Sequence, residues 1–149
     1  MYCYIGIAVG DVVAGLLAQV LKSRKKVMLI FLLLTGVAIV VYLYSFGLTP
    51  KTFVWLSLFL GFASGYWATF VTIASEQFGT NLRATVTTTV PNFVRGSLVI
   101  ILIAFQFFKD EFGILQGAMI VGFICLAISL IALSQLKETF SKDLDYVEV

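Results

Sequence analysis

The chain has 149 residues, 60% of them hydrophobic and only 12% charged, with a formal net charge of +2 and a mean hydropathy of +1.04. A soluble domain carries about 25% charged and about 45–50% apolar residues, so a water-soluble globule is excluded and the chain reads as mostly membrane. There is no histidine, and the two cysteines, Cys3 and Cys125, stand apart in apolar runs. Bis-histidine haem, histidine-containing zinc centres and Ser-His or Cys-His nucleophiles are thereby set aside, and the cysteines read as small apolar packing residues.

Five runs are uncharged or nearly so: Tyr2 to Leu21, Val27 to Phe46, Thr52 to Ser75, Ala84 to Phe108 and Phe112 to Leu136. Each is about 20 to 25 residues, the length at which a helix rising about 1.5 Å per residue crosses a hydrocarbon core of about 30 Å. In lipid every backbone group must be satisfied internally, and the alternating short segments of a β-barrel are missing. The sequence therefore predicts an all-α polytopic membrane bundle of five transmembrane helices over residues 1–136, followed by a tail over 137–149. The first run lacks a basic n-region and stays apolar for a full span, which makes it a true span rather than a signal peptide. Four connectors, Lys22 to Lys26, Gly47 to Lys51, Glu76 to Arg83 and Lys109 to Glu111, are short enough to make neighbouring helices antiparallel and adjacent.

Lys and Arg set the orientation. Lys22, Arg24, Lys25, Lys26, Arg83, Lys137 and Lys142 fall on one side, and only Lys51 and Lys109 on the other. The basic side, including the C-terminus, is expected in the cytoplasm and Met1 on the outer face. So bare an outward start implies one or more spans preceding this chain.

In the first span, Asp11 has Ile7, Ala8, Ala14 and Gly15 at helical neighbour positions, with Ala18 a turn further. An ionisable group at mid-bilayer costs roughly 2.5–3.5 kcal/mol on insertion scales, and small residues mark close approach of another helix, so Asp11 should face protein or a wet cavity. It serves either as a proton or substrate carboxylate or as a helix-packing hydrogen-bond acceptor.

The third span carries Ser57, Gly61, Ser64, Ala68, Thr72 and Ser75 on one face, and Gly61 with Gly65 forms a GxxxG spacing that Gly6–Gly10 and Gly113–Gly117 repeat. Its plain meaning is close helix contact. The Ser64-Gly65 pair resembles an intramembrane serine-protease site, but without histidine that reading fails.

On the fourth span, alternating three- and four-residue steps read Thr85, Thr88, Asn92, Arg95, Val99, Leu102 and Gln106. A polar stripe on an apolar helix is what a water-filled pathway requires, and Pro91 predicts a kink beside Asn92 and Arg95. The competing reading has Arg95 shallow enough to snorkel to the cytoplasmic headgroups. The Lys22 to Lys26 run sets topology and could also touch anionic headgroups.

The connectors carry a resemblance to the major facilitator superfamily of secondary transporters. Gly15, Leu17, Ala18, Arg24 and Lys25 match its signature loop of a glycine, a Leu-Ala pair and a basic cluster, while Gln19 stands where an acidic residue is usual and Val20 where an arginine is common. Glu76, Phe78, Thr80, Arg83 and Ala84 resemble the pattern after the fourth span of a half, and the tail from Glu138 to Asp145 is similar to the cytoplasmic end after the last span. The resemblance implies the last five spans of a twelve-span transporter, with span seven and the N-terminal half missing. It further implies substrate near the bilayer midplane between halves that rock, Asp11, Asn92, Arg95 and Gln106 as pathway or coupling residues, and Glu76 with Arg83 as a cytoplasmic brace.

The expected function is therefore that of a C-terminal portion of a secondary transporter in the inner membrane. It would move a small polar or organic solute with proton coupling and be inactive without its missing half. No enzyme activity, cofactor, metal or nucleic acid is expected. The alternative is a self-contained five-span assembly or interaction subunit.

Overall fold

A computed structural model describes residues 1–45 and 47–140. Its helices are α1 (Tyr2–Leu21), α2 (Arg24–Tyr44), α3 (Pro50–Ala63), α4 (Trp67–Glu76), α5 (Thr80–Phe112) and α6 (Ile114–Gln135), with no strand among the described residues. α3 and α4 are two halves of one span, Pro50–Glu76, so five helical spans are long and apolar enough to cross a membrane. The all-α five-span architecture is as the sequence predicts.

Several boundaries differ, each for a local reason. α2 starts at Arg24 rather than Val27, because Ser23 caps it by accepting from the Lys26 N–H at 3.2 Å. α3 starts at Pro50, with Thr49 accepting from the Thr52 N–H at 3.3 Å and a proline in the first turn, where its missing N–H is harmless. α5 begins four residues before Ala84 and continues through Pro91 and through Lys109 to Glu111, the stretch expected as a connector. The turn into α6 is Gly113 alone, whose φ of 85° is a conformation that other residues strain to adopt. Phe112, expected in the last span, is thus the end of α5. The predicted end of the second run at Phe46, and the tail residues from 141 onwards including Lys142, Asp143 and Asp145, lie outside the described residues.

Helix packing inverts the rule for soluble proteins. α1 buries Gly6, Gly10, Ala14 and Ala18 at strict four-residue spacing and turns Val9, Val12, Leu16 and Val20 outward. Lipid tails are as apolar as these side chains, so burying them against another helix gains little, whereas a small-residue seam gains van der Waals contact. That seam meets α3: a Cβ on Gly65 would lie 2.6 Å from the Gly10 Cα, and one on Gly6 would lie 2.8 Å from the Phe62 N. Two of the predicted GxxxG spacings thus face each other, with numbers rising together, so α1 and α3 run in the same direction. The largest contact of α1 is with α3, not with its sequence neighbour α2. In the third spacing only Gly117 packs closely, against Phe108 and Lys109, while Gly113 makes the turn.

α2 is the central helix, touching α1, α3, α4 and α6. Phe31, 1% exposed, packs with Ala14, Ala18 and Val27 and meets Phe62 and Tyr66 at ring-centroid distances of 5.8 and 6.3 Å. A second cluster joins Met28, Leu32, Ile73 and Leu133. Among the described helices α5 lies at the edge, on α4 and α6, and it has no buried residue along its 33 positions.

Candidate functional site: a broken span, a polar stripe and a basic plate

The third span breaks near its middle, at Ser64, Gly65 and Tyr66. A break at bilayer depth strands carbonyls at the end of one half-helix and N–H groups at the start of the next, and lipid can satisfy neither. Within the segment, the Ser64 N–H reaches Leu60 O at 3.1 Å and the Gly65 N–H reaches Phe62 O at 3.0 Å. Two other helices supply the rest. From α2, the Thr35 hydroxyl lies 2.7 Å from Ala63 O, the last residue of α3, and also 2.8 Å from its own helix's Phe31 O. From α1, Asp11 Oδ1 accepts from the Ala68 N–H in the first turn of α4 at 3.0 Å.

Each group has the sign that its half-helix end requires. Carbonyls at a helix C-terminus carry partial negative charge and take a donor, whereas N–H groups at an N-terminus take an anion. Asp11 thus caps α4 from another helix. Of the two roles open to it from sequence, the hydrogen-bonded one has a definite geometry. Sequence reasoning did not find Thr35, because a threonine inside an apolar run carries no signal until the carbonyl opposite it is known.

The polar stripe of α5 faces outward. Asn92, Arg95 and Gln106 are all exposed. Thr88 and Asn92 bond back to their own helix, Thr88 to Thr85 O at 2.9 Å and Asn92 to Thr88 O at 3.1 Å. Arg95 has no hydrogen bond or ion pair among the described residues. α1 and α5 do not touch, so Asp11 and Arg95 are not brought together, and Gln106 lies a further eleven residues along the helix, about 16 Å from Arg95 at the usual rise.

At the end of the bundle that carries the basic connectors, the starts and ends of three helices interlock. The Glu138 carboxylate accepts from the Ser23 hydroxyl, from the Arg24 N–H at 3.0 Å and from the Lys25 N–H at 3.4 Å, capping α2. Reciprocally, Lys25 Nζ donates to Leu136 O at 2.6 Å and Ser134 O at 3.2 Å, the carbonyls ending α6. Gln77 Nε2 donates to Lys137 O at 2.9 Å. Burial pushes the Glu138 carboxyl up, but hydrogen bonds from Ser23 and from the backbone N–H groups of Phe140, Arg24 and Lys25 outweigh it and hold the group below its ordinary value.

Glu76, 6% exposed, forms an ion pair with Arg24. Glu76 thus joins α4 to α2, and Arg83, in the first turn of α5, extends Nη2 to Phe78 O at 3.4 Å. Gly15, the first residue of the loop resemblance, is exposed and has no atom near the place of a Cβ. No protein-family model, curated protein or solved structure matches the chain. The fold and its apolar spans define a polytopic membrane helix bundle.

Proposed function

We propose that this chain is the C-terminal portion of a secondary active transporter of the major facilitator type, moving a small polar or organic solute by alternating access with proton coupling. The observation that carries this reading is α5, a 33-residue helix with no buried residue that presents Asn92 and Arg95 on a face left exposed by the described residues. A guanidinium and a carboxamide facing hydrocarbon are costly, and a wet pathway shared with a second bundle removes that cost. Discontinuous spans near mid-bilayer are a recurrent device of secondary transporters, and the break at Ser64 to Tyr66 supports the reading further. Residue by residue, Arg24 and Glu76 stand at the positions of the family's basic loop and acidic span end. In this proposal the basic plate lies in the cytoplasm of a cell with an inner membrane, and the Arg24–Glu76 pair holds that end closed.

The test is solute uptake by vesicles carrying the chain alone or joined to the six-span half and the seventh span of its reading frame. Uptake is expected only from the joined form, and Arg95→Ala is expected to abolish it at unchanged membrane level. Uptake by the 149-residue chain alone, or wild-type uptake by the Arg95→Ala form, overturns the proposal.

A further inference from the structure

The break in the third span also opens a cavity of about 460 Å³ between α2, α4, α5 and α6. Its wall includes Tyr66, Trp67 and Phe70 from the break and the start of α4, Ser64 from the end of α3, and Ser129 and Leu133 from α6. None of Asp11, Asn92, Arg95 or Gln106 lines it, so the cavity is separate from the proposed transport pathway. We propose that this cavity binds an uncharged aromatic molecule that carries a hydrogen-bond donor.

Its volume lies within the roughly 300–1,000 Å³ typical of small-molecule sites, which are mostly apolar with a few placed polar groups. The aromatic wall is already packed: Trp67 and Phe70 lie 5.6 Å apart at 45°, and Tyr66 meets Phe31 edge-on. Rings held this way offer faces and edges to a further ring without reordering. Among the described residues no charged side chain lines the cavity, and an ion entering it would lose its hydration uncompensated by them.

Of the three hydroxyl side chains in the wall, Tyr66 is hydrogen-bonded to Thr35, and the two serines set the polarity that a ligand meets. Ser64 spends its hydroxyl hydrogen on Leu60 O at 2.9 Å, and Ser129 spends its own on Cys125 O at 2.8 Å. Each hydroxyl has one hydrogen and two lone pairs, so both serines can still accept and neither can donate. A ligand N–H or O–H can be accepted there, whereas a hydrocarbon chain leaves the serines' accepting lone pairs unused.

The experiment uses the full chain in lipid nanodiscs. Trp55→Phe leaves Trp67 as the only tryptophan, and its emission is followed during titration with 4-nitroaniline, a neutral ring with an N–H donor that quenches it. Saturable quenching is expected, and N,N-dimethyl-4-nitroaniline, which lacks the donor, is expected to bind about five-fold more weakly once both are corrected for partition into protein-free nanodiscs. Ser129→Ala should narrow that ratio. Equal binding of the two compounds overturns donor recognition, and quenching that only tracks partition, with no saturable part, overturns the site.

Discussion

Asp11 and Ala68, 57 positions apart, meet at 3.0 Å through a carboxylate and a backbone N–H, and this contact closes one side of a helix break in mid-span. The other side is closed by Thr35 on Ala63. Asp11→Asn retains an acceptor oxygen and should fold near wild type. Asp11→Ala should cost about 1 kcal/mol, the usual loss for a helix cap, and Thr35→Val a similar amount for its hydrogen bond. Unfolding in mixed micelles with rising SDS measures both, and an Asp11→Asn loss as large as that of Asp11→Ala would show that charge, not hydrogen bonding, sustains the contact.

The seam between α1 and α3 separates essential glycines from dispensable ones. A Cβ at Gly65 would stand 2.6 Å from Gly10 Cα and from Ile7 O, both backbone atoms that cannot step aside. Gly65→Ala should therefore destabilise by about 2–3 kcal/mol through overpacking. Gly96→Ala, with nothing within 4 Å, should be neutral or gain up to about 1 kcal/mol of helix propensity. The same SDS titration reads both, and equal effects would contradict the packing described.

Glu138 should give the fold a pH dependence. Its folded carboxyl titrates below the ordinary value, so folding favours the ionised form. The resulting stability is complete above the ordinary carboxylate value and is lost as pH falls through the lowered one. Wild type should exceed Glu138→Gln in stability at neutral pH, and the gap should shrink as pH falls through that range. A gap constant with pH would assign the effect to shape rather than charge.

The Arg24–Glu76 pair should show strong non-additivity. Arg24→Ala leaves a nearly buried carboxylate without its partner and should cost up to about 3 kcal/mol, the low end for a buried pair because Arg24 keeps some exposure. Glu76→Gln should cost less, and Arg24→Ala with Glu76→Gln should fall well short of the sum. Additive losses would mean that the two side chains act separately.

Five apolar runs, their lengths and the small-residue spacings are local properties, so composition and period were enough to place five helical spans and to mark Gly6, Gly10, Gly61 and Gly65 as contact points. Asp11 and Arg95 were legible as ionisable groups that need a reason to lie in a membrane. Which glycine seam meets which depends on the direction of helices far apart in sequence, and that α1 lies along α3 is decided only when the bundle assembles. The break at Ser64 to Tyr66 is likewise tertiary. An apolar stretch of that length favours one continuous helix in lipid, and an interruption is tolerated only where a donor such as Thr35 and an acceptor such as Asp11 arrive from other helices to complete its hydrogen bonds.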